Sequence, residues 1–148
     1  ILKTCITTNK PSMSTVAEVM KKNVLVIRES MSFTEAFRLF TQMKIHHLPV
    51  LNDEGKIIGM LSTNDMMRAI GYRLPALREV SEQKLNATFS IGELMTPQPI
   101  TIRPDADLNR AVDLFSKHHI QSLPVIDNGN LEGILTSHDL IDYLATQQ

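Results

Sequence analysis

The sequence predicts an α/β fold written as two tandem copies of one unit, and three observations carry this. Short apolar runs alternate with amphipathic stretches of helical period, the pattern of mixed α/β units. Residues recur at a fixed spacing: Met20 and Met95, Arg28 and Arg103, Phe40 and Phe115, and Pro49 and Pro124 each lie 75 positions apart. Finally, one short phrase occurs twice, as Gly59-Met60-Leu61-Ser62-Thr63-Asn64-Asp65 and as Gly133-Ile134-Leu135-Thr136-Ser137-His138-Asp139. Glu18, Ile27, Ala36, Leu39, Ile45, Leu48 and Val50 also recur as identical residues at the same offset. One deletion in a turn then changes the offset to 74, pairing Gly59 with Gly133 and Asp65 with Asp139. Agreement over nearly a whole unit marks an internal repeat.

The elements follow in order. Residues 1–12 lack periodicity and read as a flexible lead-in. Val16, Val19 and Met20 suit a short helix capped by Ser14 or Thr15. Val24 to Ile27 reads as a brief strand. Ser32 caps an amphipathic helix whose apolar side carries Phe33, Ala36, Phe37, Leu39, Phe40 and Met43. A strand at His47 to Leu51, a turn at Asn52-Asp53-Glu54-Gly55 and a strand at Lys56 to Leu61 read as a β-hairpin. A helix from Thr63 to about Ile70, ended by Gly71, closes the unit. Residues 13–72 are thus the first copy and 90–146 the second. The connector over 73–89 holds Pro75, mixed charges and a helical turn or two around Ala76 to Leu85, and is expected to set how one copy sits on the other. A unit of about sixty residues buries only ~60% of its unfolded surface. Two copies therefore gain most by packing face to face with pseudo-twofold symmetry, which creates clefts that neither copy owns alone.

Composition narrows the function. The chain is 43% apolar, 21% charged and 5% aromatic, with a formal net charge of -1. That balance gives no basic footprint for nucleic acid. No run approaches the ~20 apolar residues of a membrane span, and no signal segment is seen. A single cysteine, Cys5, allows no intramolecular disulfide and no multi-cysteine metal site. A reduced, cytoplasmic setting fits best. The chain opens on Ile1 and reads as a piece of something longer.

The repeated phrase places a strand directly before a helix N-terminus, with a hydroxyl and a carboxylate at the junction. Gly within the apolar run marks a strand that something approaches closely. Two readings of the junction stand side by side. Ser62 with Asp65, and Thr136 with Asp139, fit a capping box. The same groups fit a ligand: the helix start attracts a phosphate, the hydroxyl adds a hydrogen bond, and the Asp accepts both hydroxyls of a ribose.

With these features in place, the chain resembles a tandem pair of cystathionine β-synthase (CBS) domains, the Bateman module. The matching features are the Met closing the first helix, Leu48-Pro49-Val50 and Leu123-Pro124-Val125, and the two Gly-x-x-Ser/Thr-x-x-Asp junctions. They span about Met13 to Leu144. The resemblance implies a β-α-β-β-α unit in each half, association through the sheet surfaces, and up to two clefts for adenine nucleotides or other adenosyl compounds. It implies that Thr136 and Asp139 hold phosphate and ribose in one cleft, with the base near Ala36, Ile45 and His46. The mirror cleft would use Ser62 and Asp65, with Ala111, Ile120 and Gln121. His46-His47 precedes the first Leu-Pro where Gln121-Ser122 precedes the second, so the cleft holding His46 and His47 would prefer the more anionic ligand. His47 reads equally as a half-buried strand residue.

Other candidates fall away on geometry. His46-His47 and His118-His119 are out of register in the repeat, and adjacent residues point apart, so neither pair chelates a metal readily. Ser137-His138-Asp139 cannot align as nucleophile, base and orienting acid, and no Gly-x-Ser-x-Gly elbow or P-loop occurs. Arg28 and Arg103 suit surface ion pairs. Met60, Met66 and Met67 suit the core, or an apolar dimer or base surface.

The expectation is a regulatory module, not an enzyme. It requires no cofactor and binds AMP, ADP or ATP between the copies, turning occupancy into a change of shape. Its output would be a partner protein, a further domain of a longer chain, or the state of a homodimer. The rivals are a ligand-free dimerisation scaffold and a sensor of another adenosyl ligand such as S-adenosylmethionine.

Overall fold

The computed structural model describes residues 14–77 and 80–147. The expected lead-in over 1–12, with Cys5, lies outside the described residues. In the first copy the elements are α1 (Val16–Val19), β1 (Ile27–Arg28), α2 (Phe33–Met43), β2 (His47–Leu51), β3 (Ile57–Ser62) and α3 (Thr63–Arg73). A 3₁₀ turn (Leu74–Ala76) and α4 (Glu82–Thr88) connect the copies. The second contains α5 (Ile91–Leu94), β4 (Thr96–Pro97), α6 (Leu108–His118), β5 (Ser122–Asp127), β6 (Asn130–Thr136) and α7 (Ser137–Thr146).

Local chemistry accounts for the element ends. Ser32 and Glu35 form a capping box at α2, and Asp107 accepts from the Asn109 N–H at α6. The first hairpin turns on Asn52, whose Oδ1 accepts from the N–H groups of Glu54 and Lys56. The second is one residue shorter, because Asn128 and Gly129 both take positive φ (49° and 78°), as a type I′ turn demands. This is the deletion that shifts the repeat offset.

Two expectations shift. Gly71 does not end α3; the helix runs through it to Arg73 and stops before Pro75, whose ring disfavours helix in the residue ahead of it. The strand expected at Val24 to Ile27 shrinks to Ile27–Arg28. The reason lies upstream, where the chain is already committed: Lys21 exchanges both backbone hydrogen bonds with Ile134, at 2.9 and 3.0 Å. The segment after it must cross to the other copy.

That crossing organises the molecule. In the first copy the strand order is β1-β2-β3-β4, with β1 parallel to β2 and the rest antiparallel, so the edge strand β4 comes from the second copy. The second copy mirrors this around β5 and β6. Ile102 bridges Val125 in parallel, and Lys21, from the first copy, bridges Ile134 in antiparallel. The cores are crossed in the same sense. Phe89 and Ile91 pack with Ile27, Phe33, Phe40, Leu48, Leu61 and Met66, while Val16 packs with Ala111, Leu114, Phe115, Leu123 and Leu135. Burying each of the exchanged side chains Val16, Phe89 and Ile91 is worth roughly 1.5–3 kcal/mol. The exchanged elements therefore bury apolar surface in the other copy's core and tie the two copies together.

Candidate functional site

Each strand-to-helix junction closes on itself in the same way. At the second, the Thr136 N–H and hydroxyl donate to Asp139 Oδ2 at 2.8 and 2.6 Å, and the Asp139 N–H donates to Thr136 Oγ1 at 3.2 Å. At the first, the Ser62 N–H and hydroxyl donate to Asp65 Oδ2 at 2.9 and 2.6 Å, with Asp65 N–H to Ser62 Oγ at 3.2 Å. The capping reading therefore holds in both copies. The N–H of Ser137 is also taken, by the Gln121 carbonyl, and that of Thr63 by the His46 carbonyl. For the hydroxyl to donate to a phosphate, its proton would have to turn away from the Asp.

Two clefts open beside these junctions, each walled by both copies. One, of about 500 Å³, joins Thr136, Ser137 and His138 of the second copy to Ile45, His46 and His47 of the first, with Lys21 and Lys44 on its wall. The other, of about 480 Å³, joins Ser62, Asn64 and Asp65 of the first copy to Ile120 and Gln121 of the second, with Arg68 and Thr96. We refer to them as the Thr136 cleft and the Ser62 cleft. His47 and Gln121 line both. Ala36 and Ala111, expected beside a base, are instead fully buried in the two cores and line neither cleft. Each stands on the inner face of α2 or α6, where the helix lies against its own sheet.

The two acids are placed differently. Asp65 lines the Ser62 cleft, and its Oδ1 has no partner among the described residues. Asp139 is 7% exposed and lines neither of these two clefts; Lys21 Nζ stands 3.0 Å from its Oδ1. Burial alone would raise the Asp139 carboxyl. The hydrogen bonds from the Thr136 side chain and backbone, joined by the Lys21 ammonium, outweigh it and hold the pKa below the ordinary value.

Charge is also unequal. Burial, and next the neighbouring His46, push the His47 imidazole below its ordinary value, against a smaller upward pull from Asp65. The shift favours the neutral imidazole of His47, which leaves the fixed charges of the clefts to other residues. The fixed cations are Lys21 and Lys44 in the Thr136 cleft and Arg68 in the Ser62 cleft. The sequence reading passed over all three. Lys21 was findable, since it follows the repeated Met20 where Thr96 follows Met95.

The remaining candidates have plain places. Arg28 pairs with Asp53, and Arg103 with Asp105 and Asp127, all at the surface. Met66 is core, Met60 lines the Ser62 cleft, and Met67 is exposed. Among the described residues no helix is long and apolar enough to cross a membrane, and no group of three or more His, Cys, Asp or Glu is placed to hold a metal ion.

Comparison with known proteins gives a consistent result. The model of the CBS domain family matches residues 16–72 and 91–146. The uncharacterized protein MJ1426 of Methanocaldococcus jannaschii is 33% identical over 152 aligned positions, covering 87% of this chain and 90% of that protein. A homoserine O-acetyltransferase of Methanococcoides burtonii is 30% identical over 128, covering 86% of this chain and 23% of that protein; the chain spans about a quarter of the enzyme's length. Among solved structures, the CBS domain pair of protein MJ0100 in complex with 5′-methylthioadenosine and S-adenosyl-L-methionine superposes with a TM-score of 0.78 at 23% identity, covering 92% of this chain and 99% of that one. The structure of CBSX2 in complex with AMP gives 0.72 at 28% identity, covering 90% and 98%.

Proposed function

The chain belongs to the CBS domain family as a tandem pair, and from that premise we propose that it is a regulatory module whose clefts bind an adenine nucleotide of the AMP, ADP or ATP class. One observation carries the reading: each cleft sets a strand-to-helix junction of one copy, Thr136 to His138 or Ser62 to Asp65, against the strand-entry residues of the other. Ser62 and Asp65, or Thr136 and Asp139, would meet ribose and phosphate. Ile45 and His46, or Ile120 and Gln121, would flank the base, with His47 on the shared wall. The AMP held by CBSX2 supports the ligand class. An S-adenosylmethionine-type ligand, as in the MJ0100 pair, is the alternative.

A ligand that touches both copies favours arrangements that bring the two walls into register. It shifts the equilibrium by its differential affinity for those arrangements. In this reading the chain senses and does not catalyse. Occupancy passes to a homodimer partner, to a regulated protein, or to a further domain, as the length of the homoserine O-acetyltransferases suggests.

One observation favours a second reading. Both capping boxes are complete without a ligand, as a ligand-free scaffold requires. Calorimetry with AMP, ADP, ATP and S-adenosylmethionine decides between them. Saturable heat that Asp65→Ala and Asp139→Ala reduce supports the sensor, and no heat for any compound at high micromolar concentration supports the scaffold.

A further inference from the structure

Lys21 and Thr96 occupy equivalent places in the repeat, each on the exchanged segment that pairs with the edge of the other copy's hairpin. Lys21 bridges Ile134, and Thr96 pairs with Met60. Their side chains do different things. Lys21 lines the Thr136 cleft and holds Asp139 Oδ1, so the acid buried behind that cleft's wall has both oxygens engaged. Thr96 carries no charge, and Asp65, which lines the Ser62 cleft, has no partner on Oδ1 among the described residues. Lys44, on the wall of the Thr136 cleft, adds a second cation where the other cleft has His119.

We propose that Lys21 is a phosphate-operated latch on Asp139. The Thr136 cleft then accepts the diol of a nucleoside only when the ligand also carries phosphate, whereas the Ser62 cleft accepts it with or without. This rests on the nucleotide reading above and assigns each cleft its ligand class.

The chemistry is a competition for one ammonium. A diol donates hydrogen bonds to a carboxylate oxygen, and Asp139 Oδ1 is occupied by a charge-assisted partner that a neutral hydroxyl does not displace on equal terms. A phosphate in the same cleft offers Lys21 an equally anionic partner. Lys21 is two-thirds exposed on a four-carbon stem and is free to swing from one to the other. Once it turns, Oδ1 is open and the diol binds. Phosphate and diol are thereby coupled, and couplings of this type amount to on the order of tenfold in affinity. The Ser62 cleft lacks the latch, and Arg68 there adds attraction for phosphate without guarding the acid.

The test measures each cleft alone by calorimetry with AMP and adenosine. In an Asp65→Ala background, which silences the Ser62 cleft, AMP should bind at least about tenfold more tightly than adenosine. Adding Lys21→Thr should raise adenosine affinity and collapse that ratio, while Lys21→Arg should keep it. In an Asp139→Ala background, Thr96→Lys should impose the preference on the Ser62 cleft. Both positions are exposed, and thermal melts verify that each variant is folded. If both compounds bind and Lys21→Thr leaves the ratio unchanged, the latch is wrong and the nucleotide reading stands. If neither compound binds any variant, the nucleotide reading falls and the latch with it.

Discussion

Met20 closes the first helix of one copy and lies over Gly133 in a strand of the other, so tightly that a β-carbon at Gly133 would stand 2.6 Å from the Met20 sulfur and 2.8 Å from the Lys21 carbonyl oxygen. Met95 covers Gly59 in the same way. The glycine that opens each repeated phrase is therefore where the exchanged segment of the other copy seats. The two sites differ in what blocks them. At Gly59 all three nearest atoms belong to the flexible Met95 side chain, but at Gly133 one is backbone, fixed by its bonds to Ile134. Overpacking costs typically 1–3 kcal/mol, so Gly133→Ala should fall near the top of that range and Gly59→Ala near the bottom. Chemical denaturation checks this. Met95→Ala should rescue Gly59→Ala, whereas Met20→Ala should rescue Gly133→Ala only in part.

Asp139 makes the fold sensitive to acid. Its folded pKa lies below the ordinary carboxylate value near 3.9, so its stabilisation is complete above that value and is lost as pH falls through the folded pKa. Lys21 is largely exposed, which screens its share. Asp139→Asn should cost on the order of 1 kcal/mol at pH 7, and the gap between variant and wild type should close as pH falls below 4. Melting temperatures from pH 7 to pH 2 measure it; a constant gap would contradict the assignment.

His47 also ties stability to pH. Burial, and next His46, lower its pKa below 6.5 while Asp65 pulls it up. Asp65→Asn should therefore lower the His47 pKa further, which histidine ring resonances in NMR report directly. Since the folded pKa lies below the unfolded one, His47 contributes stability fully above about pH 6.5 and loses it as pH falls toward the folded value. His47→Ser, the residue type at the equivalent Ser122, should remove that part of the pH profile.

How much of this was legible depends on whether a feature repeats. The hairpins, the long helices and both junctions were, because Phe40 matches Phe115, Pro49 matches Pro124 and Asp65 matches Asp139 under one offset. The exchange of edge strands was not, since a two-residue strand such as Thr96–Pro97 has no periodicity to read. Nor was the Lys21–Asp139 pair. A contact across 118 residues of chain leaves no local pattern, and the repeat conceals it because Thr96 stands at the matching place. Only the family resemblance places Ala36 and Ala111 near the base; their own spacing on the apolar faces of α2 and α6 marks them as small residues that seat a helix on its sheet.

Large apolar side chains stay exposed at matching places in the two copies: Phe37 and Val112 on α2 and α6, and Met67 and Ile141 on α3 and α7, the last two near 60% exposed. A face repeated by the pseudo-twofold suits a second copy of the chain, consistent with the proposed homodimer. Light scattering should give a dimer mass that Met67→Glu with Ile141→Glu reduces to a monomer. A wild-type monomer at tens of micromolar would refute the homodimer.

The last residue of each long helix cap tests structure against function within one experiment. Lys44 and His119 both take left-handed backbone, with φ of 52° and 53°, a conformation that glycine adopts without strain at a helix end. Lys44→Gly and His119→Gly should each relieve about 1 kcal/mol of strain, offset in part by the greater freedom of glycine in the unfolded chain. The stability changes should be alike because the backbones are alike. The ligand effects should not be, because Lys44 gives the Thr136 cleft a permanent charge and His119 sits in the other cleft. Lys44→Gly should therefore weaken AMP binding to the Thr136 cleft, measured in the Asp65→Ala background, even as the protein melts no lower. His119→Gly should leave that binding unchanged. Equal effects on AMP from both variants would mean that Lys44 acts through the backbone alone.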